Sequence, residues 1–213
     1  MKVKICGVRD VKSALVCEVS SADFIGLNFV PDVHRKVDIL SAIEISNSIT
    51  TINKVGVFAD QPLEDVISII NQCGLDYVQL SGNENIEYCS QIGLPVIKSL
   101  KIEQNLDITT IKKMIFPEID NFINNKIIPL VESSVPGSYG GTGTQISVDI
   151  AKEIAENFDV ILAGGLTPLN VKSMIDYIKP WGVDVASGVE SGKKQSTNKI
   201  IEFISNAKNG DNE

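Results

Sequence analysis

The sequence predicts a single-domain (β/α)8 barrel, in which eight parallel strands form the wall and helices cover the outside. Short runs rich in Val and Ile alternate with amphipathic segments along almost the whole chain. The short runs are mostly apolar on both sides, which is typical of strands covered on both faces. Strict alternation of strand and helix, joined by right-handed crossovers, produces a parallel sheet.

Eight segments fit buried strands in chain order. They are residues 3–6, 24–29, 54–58, 77–80, 96–100, 127–131, 160–163 and 182–186. The segments between them carry apolar residues three and four apart, as helices with one buried face do. These helices are predicted over residues 11–19, 40–49, 63–73, 87–92, 148–157, 168–177 and 197–207. A further helix over 108–115 follows the fifth strand, and Pro117 and the Asn-rich stretch 120–125 interrupt its pattern.

Two arrangements of these units compete. An open doubly wound sheet usually has roughly five to seven strands, whereas eight near-equal units fit a closed barrel, which needs roughly 200 residues. The chain has 213 residues and little room for insertions. We therefore predict a barrel domain over residues 1–208 and a polar C-terminal tail over 209–213.

Charge and cysteine content exclude several classes of function. Nineteen Lys and Arg against 27 Asp and Glu leave a net charge of −8, which disfavours nucleic acid and anionic membranes as partners. No apolar run approaches the ~18 residues of a membrane span. The four cysteines form no CxxC pair and accompany one histidine, so neither a metal site nor a disulfide framework is expected. Reduced thiols in a cytoplasmic protein are the simplest interpretation.

In a barrel of this kind, functional groups lie at the carboxyl ends of the strands. Gly164 and Gly165 end the seventh predicted strand and run straight into a predicted helix, while Ser187 and Gly188 end the eighth. Glycine turns at these two strands let backbone N–H groups approach an anion, and a helix N-terminus adds a favourable dipole. We predict a phosphate site here, the alternative being glycines that merely close tight turns.

Two strand ends carry groups that can move protons. Cys6 ends the first strand, where a thiolate could act as base or nucleophile, or the thiol could be inert and buried. Glu132 follows five apolar residues at the end of the sixth strand. It is either a solvent-exposed carboxylate that ends the strand or a pocket carboxylic acid with a raised pKa. A base and an acid on opposite sides of one pocket suit an isomerase.

Further candidates lie in the loops. Arg35 follows the second strand and could pair with a substrate carboxylate through two hydrogen bonds. Gly141 belongs to a glycine-rich run over 140–143 that is either a mobile lid or a plain connector. His34 is interpreted as structural or solvent-facing, because neither a metal site nor a catalytic triad can be built around it.

Taken together, six segments resemble the phosphoribosylanthranilate isomerase family of tryptophan biosynthesis, over a stretch from Val3 to about Lys208. They are KICG at 4–7, VGVF at 55–58, VQLSGNE at 78–84, YGGTG at 139–143, LAGGLTPLNV at 162–171 and VDVASGVE at 183–190. The resemblance implies a barrel without a cofactor that isomerises N-(5-phosphoribosyl)anthranilate to 1-(2-carboxyphenylamino)-1-deoxyribulose 5-phosphate, an Amadori rearrangement. The implied partner is this small phosphosugar, bound by a monomer or homodimer.

The resemblance also implies roles for individual residues. Cys6 would be the general base, and Glu132 occupies the position of the general acid. Arg35 would hold the anthranilate carboxylate, and the glycine loops after strands seven and eight the phosphate. Asp184 falls on a family position near the pocket without an assigned role.

Several positions depart from the family pattern. The acid is normally Asp, one methylene shorter than Glu132. Other departures lie in the fourth strand segment and after the glycine-rich run, namely Ser81, Asn83, Thr144, Ser147 and Val148. Two alternatives to the isomerase are another phosphate-binding barrel enzyme, in which Lys98 could form a Schiff base, and a non-catalytic phosphosugar-binding paralogue.

Overall fold

Eight parallel strands close into a barrel in chain order, with the first strand pairing both the second and the eighth. The computed structural model describes residues 1–103, 106–133 and 147–209. The strands are β1 Lys2–Cys6, β2 Phe24–Asn28, β3 Asn53–Phe58, β4 Tyr77–Leu80, β5 Val96–Ile102, β6 Ile128–Ser133, β7 Ile161–Ala163 and β8 Gly182–Val185. The predicted (β/α)8 barrel is confirmed. Of the predicted tail, residues 210–213 lie outside the described residues.

A helix follows each strand. The helices are α1 Val11–Val19, α2 Ile39–Ser48, α3 Leu63–Cys73, α4 Ile86–Ser90, α5 Ile108–Asn124, α6 Val148–Ala155, α7 Val171–Ile178 and α8 Thr197–Lys208. Between β8 and α8 lie a 3-10 turn, Ser187–Val189, and a hairpin of β9 Glu190–Ser191 with β10 Lys194–Gln195. Within the described ranges, no helix is both long and apolar enough to cross a membrane.

The side chains inside the barrel change from apolar to polar along the strands. The lower interior is filled by Phe24, Val55, Ile97, Leu130 and Ile161, which form one buried cluster. Towards the carboxyl ends the buried side chains become polar, namely Lys4, Gln79, Ser81, Ser99, Glu132 and Asp184. Because every second residue of a strand faces inward, the apolar cluster forms a floor beneath this polar layer.

The predicted interruption of the fifth helix at Pro117 is wrong. Helix α5 runs through Pro117 to Asn124, and its buried residues are Ile111, Ile115, Ile119 and Phe122. Their spacing of three and four residues continues one apolar face past the proline. Burial of that face offsets the roughly 3 kcal/mol that proline costs inside a helix.

Helix α7 begins later than predicted. It starts at Val171, whereas the sequence pattern predicts a start at 168. A turn precedes it, in which the Asn170 side chain accepts from the Thr167 N–H at 2.8 Å and donates to the Gly165 carbonyl at 3.0 Å. Gly164 and Gly165 therefore do not run straight into a helix, and that part of the prediction is wrong.

Candidate active site

Lys4 and Cys6 share the inward face of β1. Both are buried, with 1% of Lys4 and 8% of Cys6 exposed. Gly26 on β2 is the register partner of Cys6. A Cβ at Gly26 would lie 2.8 Å from the Cys6 Sγ and 3.2 Å from the Lys4 Nζ. The thiol and the ammonium therefore occupy space that only glycine leaves open on the neighbouring strand.

The ammonium of Lys4 is held by a carboxylate on the other neighbouring strand. Lys4 and Asp184 are register partners across β1 and β8, and Nζ donates to Oδ1 at 2.8 Å. Burial by itself lowers the pKa of Lys4, but Asp184 and Cys6 outweigh it and raise that pKa above its ordinary value. Lys4 is therefore a buried cation at neutral pH.

The thiol of Cys6 titrates under opposing influences. Burial raises its pKa, the charge of Lys4 lowers it, Asp184 raises it, and Arg35 makes a smaller lowering contribution. The net result is a pKa above the ordinary thiol value. Thiolate is thus a minor species at neutral pH, favoured by the neighbouring cations and opposed chiefly by burial.

Glu132 is a buried carboxyl on β6. Its side chain is 9% exposed, and the Ser99 hydroxyl of β5 donates to Oε1 at 2.5 Å. Burial raises the pKa of Glu132, while the Ser99 bond and the charge of Lys101 lower it and Asp184 raises it. The pKa stays above its ordinary value, which favours the protonated acid. The alternative of a solvated carboxylate is wrong.

One pocket brings the predicted acid together with the predicted phosphate loops. Glu132, Asp184, Gly164, Gly165 and Ser187 all line it. Gly164 and Gly165 have φ angles of +93° and +65°, which favour glycine strongly. Cys6 adjoins this pocket through Lys4 and Asp184. The carboxyl ends of β1, β6, β7 and β8 therefore converge on one site.

Gly188 lies where the two predicted phosphate loops meet. A Cβ at this position would collide with the carbonyl oxygen of Leu166, in the loop after β7. The loop after β8 therefore lies directly against the loop after β7, and glycine is what allows this contact.

Arg35 lies at the mouth of the site, with its guanidinium bound to a carboxylate of the chain itself. Its Nε and Nη2 donate to the two oxygens of Glu190 at 3.0 and 2.8 Å. Its methylene groups cover Gly7, where a Cβ would lie 2.7 Å from Cδ, so the side chain sits beside Cys6. Burial raises the pKa of Glu190, but Arg35 and His34 reverse this and hold it below its ordinary value. His34 is 38% exposed at its side chain, with Nε2 3.6 Å from Glu190.

Lys98 is not part of the site. Its neighbours in β5, Ile97 and Ser99, face the interior, so Lys98 points outward. Its ammonium donates to the Gly82 carbonyl at 2.7 Å and to Glu84 at 2.9 Å. The geometry therefore removes the Schiff-base alternative built on this lysine.

Asn83, one of the departures from the family pattern, is explained by its neighbour. Its side-chain amide donates to Asp60 at 3.1 Å, and its backbone N–H donates to the other oxygen of the same carboxylate. A carboxylate at position 83 would face Asp60 with the same charge, whereas the amide supplies a donor. Gly141 and Thr144 lie outside the described residues.

Sequence reasoning missed three residues of the site: Lys4, Ser99 and Glu190. Lys4 lies two residues before Cys6 in an apolar strand, so the alternation of faces could have placed it beside the thiol. Ser99 contacts a neighbour on another strand, and its sequence context carries no comparable signal. Glu190 ends the VDVASGVE segment, but nothing in that segment points to a contact with Arg35.

We expect Gly26→Ala to disturb the thiol directly. The added methyl group would overlap Cys6 Sγ and crowd Lys4 Nζ, so we expect kcat to fall about tenfold or more and stability to fall by about 1–3 kcal/mol. Gly56→Ala is the control, because its Cβ would instead meet Leu75 and Phe58. Thermal unfolding and steady-state kinetics of both variants test this. If Gly26→Ala and Gly56→Ala lose the same activity at the same stability, the loss in Gly26→Ala does not come from the thiol.

The fold and the site together define a class, the (β/α)8-barrel enzymes, here with a buried thiol and a buried carboxyl at the carboxyl ends of the strands. The family model described as N-(5'phosphoribosyl)anthranilate (PRA) isomerase matches residues 3–206. The chain belongs to this isomerase family, as the sequence motifs predict.

Individual relatives agree over nearly the full length. The N-(5'-phosphoribosyl)anthranilate isomerase of Dehalococcoides mccartyi is 37% identical, with 99% of this chain and 97% of the relative covered. That of Oceanobacillus iheyensis is also 37% identical, at 99% and 98% coverage. The crystal structure of the Thermotoga maritima enzyme is 31% identical and superimposes with a TM-score of 0.85 over 98% of this chain and 99% of that one.

A further crystal structure contains a product analogue. It is an isomerase in complex with reduced 1-(o-carboxyphenylamino)-1-deoxyribulose 5-phosphate, 29% identical, with a TM-score of 0.79 over 98% of this chain and 99% of that one.

Proposed function

We propose that the chain converts N-(5'-phosphoribosyl)anthranilate to 1-(2-carboxyphenylamino)-1-deoxyribulose 5-phosphate, with Cys6 as general base and Glu132 as general acid. The observation that carries the assignment is the placement of a thiol and a buried carboxyl on either side of the Lys4–Asp184 pair, next to the glycine loops. Both groups act on the same substrate only if they share one mouth of the barrel, as here.

The first step is opening of the ribose ring. Protonated Glu132 donates its proton to the furanose ring oxygen as the bond from that oxygen to C1 breaks. The anthranilate nitrogen supplies an electron pair to C1, and a Schiff base forms. The raised pKa of Glu132 supports this role, since burial keeps a larger share of the carboxyl protonated near neutral pH. Ser99 holds Oε1 and so orients the carboxyl.

The second step is removal of the C2 proton. The Cys6 thiolate takes this proton, and the electrons of the C–H bond form a C1–C2 double bond while the cationic nitrogen is neutralised. The resulting enolamine becomes the ketone as its C2 hydroxyl loses a proton and C1 gains one. Cys6 ends as a thiol and Glu132 as a carboxylate, and exchange with solvent restores the starting protonation states.

The two ends of the substrate are anionic, and each has a proposed binding group. The phosphate would contact Gly164, Gly165, Ser187 and Gly188, whose backbone N–H groups are the donors that such loops offer. Arg35 would bind the anthranilate carboxylate at the other side of the mouth. The two hydrogen bonds to Glu190 use Nε and Nη2 and hold the guanidinium in place. Nη1 takes part in neither bond and is the group proposed to bind the carboxylate. Gly141, which lies outside the described residues, stays a pocket candidate from the sequence, in a run that is either a lid or a plain connector.

A steady-state assay that follows the loss of anthranilate fluorescence tests the overall proposal. The purified chain should turn over phosphoribosylanthranilate, and inactivity would contradict the proposal. The non-catalytic alternative, a phosphosugar-binding paralogue, predicts instead that calorimetry detects binding of the reduced product analogue without turnover.

We expect Gly188→Ala to weaken phosphate binding. The new methyl group would push the loop after β8 away from Leu166, so the KM for substrate should rise about tenfold, with inhibition by inorganic phosphate weakened in parallel. Gly192→Ala is the control, because its φ of +57° makes alanine unfavourable there while its Cβ would meet no atom within 4 Å among the described residues. Similar KM changes in both variants would contradict the phosphate assignment.

We also infer a monomer or a homodimer that works in the cytoplasm. One solved relative consists of monomers generated from the dimeric T. maritima isomerase, 29% identical and with a TM-score of 0.80. All four cysteines are free and buried, in keeping with a reducing compartment. Analytical ultracentrifugation measures the oligomeric state.

A further inference from the structure

Lys4 is an unusual residue to find inside a barrel. Its side chain is among the largest that are fully buried within the described residues. A charged side chain is almost never fully buried unless it is paired, because removing the ammonium from water is costly. The proposed reaction assigns Lys4 no step. Its burial beside the proposed base therefore needs a reason.

The surroundings of Lys4 point to that reason. Its Nζ donates to Asp184 at 2.8 Å. The same Nζ and the Cys6 Sγ lie 3.2 and 2.8 Å from a single point, the position that a Cβ on Gly26 would take. The glycine thus opens one space in which ammonium and sulfur meet, while Asp184 fixes the ammonium from the opposite strand.

We propose that Lys4 is a positioning residue for the proposed base: its ammonium, held by Asp184, stabilises the negative charge on Cys6 Sγ when the thiol loses its proton. This inference rests on the proposed role of Cys6. An anion desolvated inside a barrel is favoured chiefly by a fixed opposite charge at close range.

The other charged groups near Cys6 are weaker or already paired. Arg35, in the loop after β2, lowers the pKa of Cys6 less than Lys4 does, and Glu190 binds its guanidinium. Asp184 on β8 raises the pKa of Cys6, but by less than Lys4 lowers it. Glu132, on β6, faces the same Lys4–Asp184 pair. Lys4 therefore has the largest favourable effect on the thiolate.

The test replaces Lys4 with Met and measures the ionisation of the Cys6 thiol directly. Alkylation of Cys6 by iodoacetamide, in which the thiolate displaces iodide, is followed from pH 6 to 10, and the labelled Cys6 peptide is quantified by mass spectrometry. Lys2→Met is the matched control: it makes the same change two residues earlier on β1, where Lys2 is exposed and pairs with Asp23 at 2.9 Å.

We expect Lys4→Met to slow alkylation of Cys6 at least tenfold at neutral pH and to move its titration upward by about one pH unit. In the same variant kcat should fall about tenfold or more, with KM within about twofold. Lys4→Arg keeps the positive charge and should recover part of the alkylation rate. Lys2→Met should match the unmodified protein.

A second variant covers the case in which Lys4→Met fails to fold because Asp184 is left as a buried, unpaired charge. Lys4→Met combined with Asp184→Asn removes both charges together. Because Lys4 affects the thiol more strongly than Asp184 does, the titration of Cys6 should still move upward. A folded variant of either kind whose Cys6 titrates as in Lys2→Met would overturn the inference.

The same data separate this inference from the proposed function. If alkylation of Cys6 slows in Lys4→Met and kcat does not change, Lys4 stabilises the thiolate as inferred, but the thiolate is not the catalytic base. If alkylation is unchanged while Cys6→Ala is inactive, the base assignment stands and the inference about Lys4 fails.

Discussion

Cys6→Ala should lower kcat by about 10³-fold and leave the barrel folded. A positioned general base contributes roughly 10²–10⁴-fold to a proton transfer, and alanine offers no group that could take the C2 proton. The side chain is small and lies at the mouth, so its loss removes little packing. Cys6→Ser should be almost as inactive, because a hydroxyl is a far weaker acid than a thiol and supplies almost no anion at neutral pH. Steady-state kinetics measure both variants.

Cys17→Ala is the control for Cys6→Ala. Cys17 lies on α1, fully buried outside the barrel wall, and burial raises the pKa of its thiol to about 12. It should be inert, so kcat should remain within about twofold of the unmodified protein. If Cys6→Ala keeps activity within tenfold of the unmodified enzyme, Cys6 is not the base.

Glu132→Gln should lower kcat by about 10²–10³-fold. The amide keeps the size of the side chain and can still accept the hydrogen bond from Ser99, but it cannot release a proton to the ring oxygen. Glu132→Asp keeps the carboxylic acid and the family's usual side chain, so it should retain far more activity than Glu132→Gln. Kinetics of the two variants separate loss of the acid from loss of geometry.

Glu118→Gln is the control for Glu132→Gln. Glu118 is a second carboxyl with a pKa raised by burial, but it lies on α5, outside the barrel. Its substitution should leave kcat unchanged. Loss of activity in Glu118→Gln but not in Glu132→Gln would reverse the assignment of the acid.

The strand-by-strand architecture could be predicted from the sequence because a parallel barrel repeats one simple pattern. The Val- and Ile-rich runs are buried on both faces, and their number decides between a closed and an open sheet. Helix boundaries were less predictable. At Pro117 local preference was overridden by an apolar face that continues to Phe122, and at α7 the side chain of Asn170 builds a turn where the pattern predicts helix.

The site was partly predictable because the barrel fold itself brings the strand ends together. The rule that strand ends carry the chemistry brings Cys6, Glu132 and the glycine loops to one mouth, without any knowledge of distances. What it could not give were contacts between strands, such as Lys4 with its register partner Asp184. Another is Ser99 with Glu132, which lies two residues beyond Leu130, the register partner of Ser99. The bond from Arg35 to Glu190 joins residues far apart in sequence, and only the closed fold reveals it.

A crystal structure of this chain with reduced 1-(o-carboxyphenylamino)-1-deoxyribulose 5-phosphate would test the placement of base and acid most directly. We expect the Cys6 Sγ within about 3–3.5 Å of C2, the Glu132 carboxyl on the other side of the sugar chain, and the phosphate against Gly164, Gly165 and Ser187. A ligand bound elsewhere, or a thiol turned away from C2, would contradict the account.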